Sequence, residues 1–189
     1  MVKLLVLMAA IFVFVLLAQK KAYAHCDTMD GPTVKDGIKA LETGNINYAL
    51  KWIMPEKEDE LKEIFNLCLK VRVLGSEANE LADRYFLESL VRIHRIGEGA
   101  GFEGLKPHGV PMDEKVKAAD KSIEIGNLSP LEGLVTHEEM HELEEKFEKA
   151  MQLKDFDVND VNAGRKYIEA YVGFFKFAEG EEHDMHHHA

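Results

Sequence analysis

Chemistry-bearing residues gather at three places along the 189-residue chain. The first is His25-Cys26-Asp27-Thr28-Met29-Asp30. If a leader is removed just before it, His25 offers an α-amine and an imidazole, and Cys26 a thiolate and a backbone amide nitrogen. Mixed nitrogen and sulfur donors suit nickel, copper or zinc. An α-amine that titrates near about pH 8 can lose its proton to a metal at neutral pH. Asp27, Asp30 and Met29 are further candidate ligands. The second place is His137-Glu138-Glu139-Met140-His141, which fits H-E-x-x-H, the pattern of zinc peptidases. Two histidines one helical turn apart with a glutamate base make that chemistry possible. The same stretch also reads as a helix start, with Thr136 and Glu139 as a capping box. His137 and His141 are therefore weaker metal candidates. The third is Glu181-Glu182-His183-Asp184-Met185-His186-His187-His188. There His183, His186, His187 and His188 form a solvated tail suited to loose metal binding.

The first site depends on processing. Lys3 followed by the apolar run Leu4 to Ala18 reads as a signal peptide, and Ala22-Tyr23-Ala24 supplies a small-x-small cleavage pattern. A comfortable membrane span needs about 20 apolar residues, more than this run provides. Cleavage after Ala24 would place His25 first, export the chain to a periplasmic or extracellular space and leave no stable membrane insertion. Losing Lys3, Lys20 and Lys21 takes the net charge from −11 to −14. So acidic a surface argues against nucleic acid as a partner and favours cations. Cys26 and Cys68 could pair in an oxidising compartment. Cys68 also falls on an apolar helical stripe, where a buried core thiol is expected.

The elements that must position these residues show themselves through a repeat. Shifted by 82 residues, 34–72 lies over 116–154 without a gap, with eleven identities among them. These include Glu42/Glu124, Gly44/Gly126, Asn45/Asn127, Leu61/Leu143 and Phe65/Phe147. Each copy reads as a short helix ending at Gly-Asn, a brief apolar segment and a long helical hairpin. In the first hairpin, Leu61, Ile64, Phe65, Cys68 and Val71 recur at helical spacing. Leu81, Tyr85, Phe86, Leu90 and Ile93 form the next stripe, with Ser76 as its cap. In the second, Leu143, Phe147, Ala150 and Leu153 are followed by Tyr167, Ile168, Tyr171, Phe174 and Phe175. The expected fold is all-α: a helical bundle of two tandem units, with four long helices and several shorter ones. The single domain spans 25–182, with copies at about 34–96 and 116–178, a glycine-rich linker at 97–111 and the tail at 183–189. Gly99-Ala100-Gly101-Phe102-Glu103-Gly104 matches G-x-G-x-x-G only on paper, because no βαβ pattern surrounds it. His94, Arg95, Lys106 and His108 bracket this linker and could form an anion pocket.

The His25-Cys26 start resembles the metal hook of nickel superoxide dismutase, a family that begins with His-Cys after cleavage and builds its hook on a four-helix bundle. The resemblance implies that His25 gives its amine and ring, and Cys26 its amide and sulfur. The hook's proline and second cysteine are replaced here by Met29 and Asp30. Over most of its length the chain also resembles an uncharacterised family of exported bacterial proteins known only as a domain of unknown function. The residues that carry this are His25–Pro32, Arg84-Tyr85-Phe86, Arg92-Ile93-His94-Arg95, Gly97-Glu98-Gly99 and Gly104-Leu105-Lys106-Pro107. That resemblance implies export and helices and no particular activity. Together these readings predict an exported metal-binding protein whose site is His25 and Cys26, with a redox role as its enzymatic form. The alternatives are a non-catalytic interaction or stress protein of the cell envelope and, at a distance, a zinc peptidase.

Overall fold

The computed structural model describes residues 25–180. The leader expected at 1–24 and the histidines His183, His186, His187 and His188 lie outside them. The described chain is all-helical: α1 (Pro32–Thr43), α2 (Asn47–Leu50), α3 (Glu58–Val71), α4 (Ser76–Gly97), α5 (Glu114–Ile125), α6 (His137–Leu153) and α7 (Val161–Glu179). Short 3-10 turns lie at His25–Asp27, Pro55–Lys57, Arg72–Leu74 and Ser129–Leu131. No helix among the described residues is long and apolar enough to cross a membrane.

Local chemistry sets the boundaries. Pro32 begins α1, where a missing N–H costs little. α1 stops at Gly44 and α5 at Gly126, both left-handed, at φ 67° and 76°. A side chain there would strain the backbone, so glycine is the natural stop. Asp113 caps α5 through the N–H of Lys115 at 2.7 Å, and Asp160 caps α7 through that of Ala163 at 2.9 Å. Ser76, expected to cap α4, does not: it is the first helical residue, and its hydroxyl turns to Glu77 at 2.7 Å.

Two helical triplets form the molecule. In the first, α3 and α4 pair as a hairpin and α1 lies on α4; in the second, α6 and α7 pair and α5 lies on α7. Leu61, Phe65, Phe86, Leu90 and Ile93 fill the first core, and Leu143, Ala150, Phe174 and Phe175 the second. Burying each large apolar side chain contributes about 1.5–3 kcal/mol. Leu81 and Tyr85, expected on the buried stripe of α4, are instead 69% and 50% exposed. Phe86, Leu90 and Ile93 of the expected stripe do form the core face of α4, joined by Ala82 in place of Leu81 and Tyr85. Matching tethers occur 82 residues apart. Arg72 donates to the Leu41 carbonyl at 2.8 Å and Lys154 to that of Ile123 at 2.5 Å. Asn45 accepts from the Asn47 N–H, and Asn127 from that of Ser129.

The triplets join through polar anchors set in apolar surroundings. Arg165 on α7 donates to the carbonyls of Leu50 and Ile53 and to Glu58. Trp52 packs edge-on against Tyr171, and Lys176 reaches Glu98 at 3.7 Å. A further joint is the 3-10 turn of His25–Asp27.

Candidate metal centre

A short peptide segment cannot bury itself without many partners, and 25–31 has them. The Lys106 N–H donates to the Asp27 carbonyl at 2.8 Å, and the Met29 N–H to the Lys106 carbonyl at 3.0 Å, a small parallel bridge. The Gly31 N–H closes a turn on the Thr28 carbonyl at 2.9 Å. Asp30 binds the ring of His108 at 2.7 Å and the Gly109 N–H at 2.8 Å. The 97–111 linker is thus a strap over the amino-terminal segment. His25, Cys26, Asp27 and Thr28 are all buried.

His25 reaches the second triplet. Its Nε2 lies 2.9 and 3.1 Å from the two Asp120 carboxylate oxygens and 3.1 Å from the Tyr171 hydroxyl. Tyr171 donates its own proton to Asp120. The ring also stands edge-on to Phe175 at 5.1 Å. A carboxylate accepts only, so Nε2 carries the proton, and the lone pair of the neutral ring lies on Nδ1. That Nδ1 is buried and has no partner.

Cys26 and Asp27 face α4. Burial pushes the Cys26 thiol up to about 12, with the charges of Glu98 and Asp27 adding to it; Thr33 and Arg95 pull the other way. Burial raises the Asp27 carboxyl to about 6, against the pull of Arg95, whose Nε lies 3.5 Å from Oδ1. His94 is held through Nδ1 at 2.7 Å from the Trp52 carbonyl. Its proton therefore sits on Nδ1, and Nε2, 3.8 Å from Glu98, is left bare. Burial lowers its pKa against the opposing pull of Glu98. Burial alone would raise Glu98, but His94, Lys176 and Arg95 outweigh it and hold the carboxyl low.

Six buried side-chain nitrogen or oxygen atoms among the described residues lack a hydrogen-bond partner. Two of them, Arg72 Nε and Asp83 Oδ1, face each other as an ion pair. The other four are His25 Nδ1, Asp27 Oδ1, Thr33 Oγ1 and His94 Nε2, all belonging to the surroundings of the amino-terminal turn. Asp27 Oδ1 faces Arg95 at 3.5 Å and the Thr33 hydroxyl lies beside the Cys26 thiol, so the bare lone-pair acceptors are the ring nitrogens of His25 and His94. Buried polar groups are rarely left so, and an acceptor-rich set calls for a cation or a bound proton donor. No three His, Cys, Asp or Glu side chains among the described residues converge closely enough to hold a metal by themselves.

The other expected residues fall elsewhere. Asp30 is engaged by the strap and is exposed. His137 and His141 lie exposed on α6, where Thr136 and Glu139 do form a capping box at 3.2 and 2.6 Å. Glu138 is exposed as well, so H-E-x-x-H lines no cleft. The anion pocket does not form. His94 binds a carbonyl, Arg95 binds Glu98 and Asp27, Lys106 binds Glu103, and His108 binds Asp30. Cys26 and Cys68 are separate free thiols, and Cys68 is buried in the α3 core. Asp120 and Tyr171 were not singled out as site residues from sequence. Their signal was Tyr171 itself, a phenol on an apolar stripe whose hydroxyl must find a partner.

No curated protein matches the chain, and neither does any solved structure. Residues 30–177 match a family of unknown function, DUF6448, and the chain belongs to that family.

Proposed function

We propose that this is an exported protein that binds one transition-metal ion at a mature amino terminus formed by His25 and Cys26. The observation that carries the reading is the bare, buried His25 Nδ1, whose ring is fixed from the other side by Asp120 and Tyr171. A ligating histidine ordinarily has its second nitrogen held by a carboxylate in this way. In a terminal histidine the amine and Nδ1 close a six-membered ring on a metal. The Cys26 amide and thiolate close a five-membered ring beside it. Three nitrogens and one sulfur suit nickel, copper or zinc. Binding would release two protons to solvent, one from the Cys26 thiol and one from its amide N–H, because both atoms ligate only when deprotonated. Asp27 and His94 stand as nearby acceptors for water or for an exogenous ligand. A redox role such as superoxide dismutation is the enzymatic form of this reading.

The matching boundaries and tethers 82 residues apart support a second part of the proposal, that the scaffold is a duplicated helical unit. The amino-terminal turn then plugs the joint between the copies, with His25 on one and Asp27 on the other.

The test is metal analysis of protein exported through its own leader and purified under reducing conditions. Mass spectrometry should find His25 as the first residue. In protein that lacks the tail after Glu182 and carries His137→Ala and His141→Ala, metal content should be about one ion per chain and be lost in Cys26→Ser, with helicity unchanged. An intact leader, a terminus beyond Cys26, or full metal content in Cys26→Ser overturns the reading. One observation favours the rival, a non-catalytic interaction protein. Leu67, Val73, Leu74, Leu81 and Tyr85, all on the first hairpin, are 50–80% exposed, more apolar surface than a solvated hairpin needs.

A further inference from the structure

We propose that His137 and His141 form a second, independent cation site on the surface of α6, taking one divalent copper, nickel or zinc ion between their imidazoles. The geometry follows from the helix. Side chains four residues apart lie on the same face, with Cβ atoms about 5–6 Å apart. A first turn usually frays, but this one is closed by the reciprocal Thr136 and Glu139 bonds. The two rings are therefore held at a fixed spacing before any ion arrives, which limits the entropy lost on chelation.

Both rings are free to turn toward an ion. His137 and His141 are exposed, and no hydrogen bond or ion pair holds His137. Among the described residues the only partner of His141 is Glu144, 3.9 Å from Nδ1, a weak contact that leaves Nε2 open. The face continues through Met140, Glu144, Glu145 and Glu148 at helical spacing. The positive end of the helix dipole opposes a cation here. The carboxylates of Glu144 and Glu145, on the same helix face as the pair, offset it. Because no three side chains converge, water completes the coordination. The site is a bidentate surface chelate without a catalytic base, and copper should bind it most tightly.

The test uses the full mature chain carrying His25→Ala and Cys26→Ser, and His183, His186, His187 and His188 each replaced by Ala. The amino-terminal centre and the tail are thereby silenced, so failure here is separate from failure of the reading above. Copper(II) and zinc(II) are titrated by calorimetry. One site should remain, weakened at least tenfold by His137→Ala and by His141→Ala, and unchanged by Glu138→Gln. The paired change His141→Glu with Glu142→His keeps the composition but breaks the four-residue spacing, and it should lose the site as well. Circular dichroism confirms the helix in each variant. Equal affinity in either alanine variant, or retained binding in the spacing variant, overturns the proposal.

Discussion

Asp120→Ala would test the amino-terminal centre where its logic is tightest. Asp120 accepts from His25 Nε2 and from the Tyr171 hydroxyl, and both donors are otherwise enclosed. Removing it leaves the Tyr171 O–H without an acceptor, at about 1–3 kcal/mol, while His25 Nε2 keeps only the Tyr171 oxygen at 3.1 Å. The Asp120 side chain is 34% exposed, so water can enter the vacated space and the lower end applies. A loss of about 1–2 kcal/mol is expected, read as a lower urea midpoint at unchanged slope. The same substitution frees the His25 ring to turn and removes its tautomer control. Loss of such a partner costs about 10–100-fold in metal affinity. Asp120→Asn keeps one acceptor oxygen and guards against simple unfolding; it should lose less stability and still weaken the metal. Metal affinity is measured by competition with a chelator on reduced mature protein. If Asp120→Asn is folded and binds metal as tightly as the parent, the ring need not be held by Asp120. The argument from the bare Nδ1 then fails.

Gly31→Ala should disturb the turn from the other side. A Cβ there would lie 2.4 Å from the His25 carbonyl oxygen and 3.0 Å from that of Thr28, both backbone atoms. Destabilisation of about 1–3 kcal/mol with weakened metal binding is expected by calorimetry, and a neutral outcome would mean that the turn is not packed as described. Thr136→Ala should cost about 1 kcal/mol through the lost cap, whereas Glu138→Gln should stay within about 0.5 kcal/mol in chemical denaturation. Proteolytic activity that Glu138→Gln abolishes would restore the peptidase reading. His94 should titrate below the ordinary histidine range, with its proton on Nδ1, as followed by ring nitrogen resonances. The charges facing it are Glu98, Arg95 and Lys176. Because burial depresses its folded pKa, the unfolded state takes up the proton first as pH falls through about 6.5. The contribution of this group to stability is therefore intact above that pH and declines below it. An imidazole that titrates at or above the ordinary value would contradict its burial.

The helices were legible because their determinants are local. Apolar residues at helical spacing, glycine stops and the Thr136–Glu139 box each act within one or two turns, and each appears where its chemistry puts it. The missed details are those that tertiary context decides. Ser76 had the right chemistry for a cap, but the chain arrives at α4 through Gly75 at φ 149°, and the hydroxyl finds Glu77 instead. Leu81 and Tyr85 fit the period of α4 as well as Ala82 does. Periodicity gives a stripe, and what packs against it decides which edge of the stripe is buried.

The centre was half legible for a related reason. Donor types can be read from neighbouring residues, so His25 and Cys26 could be named from sequence. Their orienting partners come from 95 and 146 residues away, and no spacing rule connects them. Burial also changes what the donors mean. On an exposed amino terminus the His25-Cys26 pair would be a loose chelator, competing with solvent for every bond. Under the 97–111 strap, one face of the His25 ring system is already bonded to protein and the remaining nitrogen is shut away from water. An unpaired acceptor in that position costs stability, and a ligand that fills it returns that stability as binding. Metal binding should therefore raise the unfolding temperature of the mature chain, and it should do so less in Asp120→Asn, where the ring is free to relax without an ion.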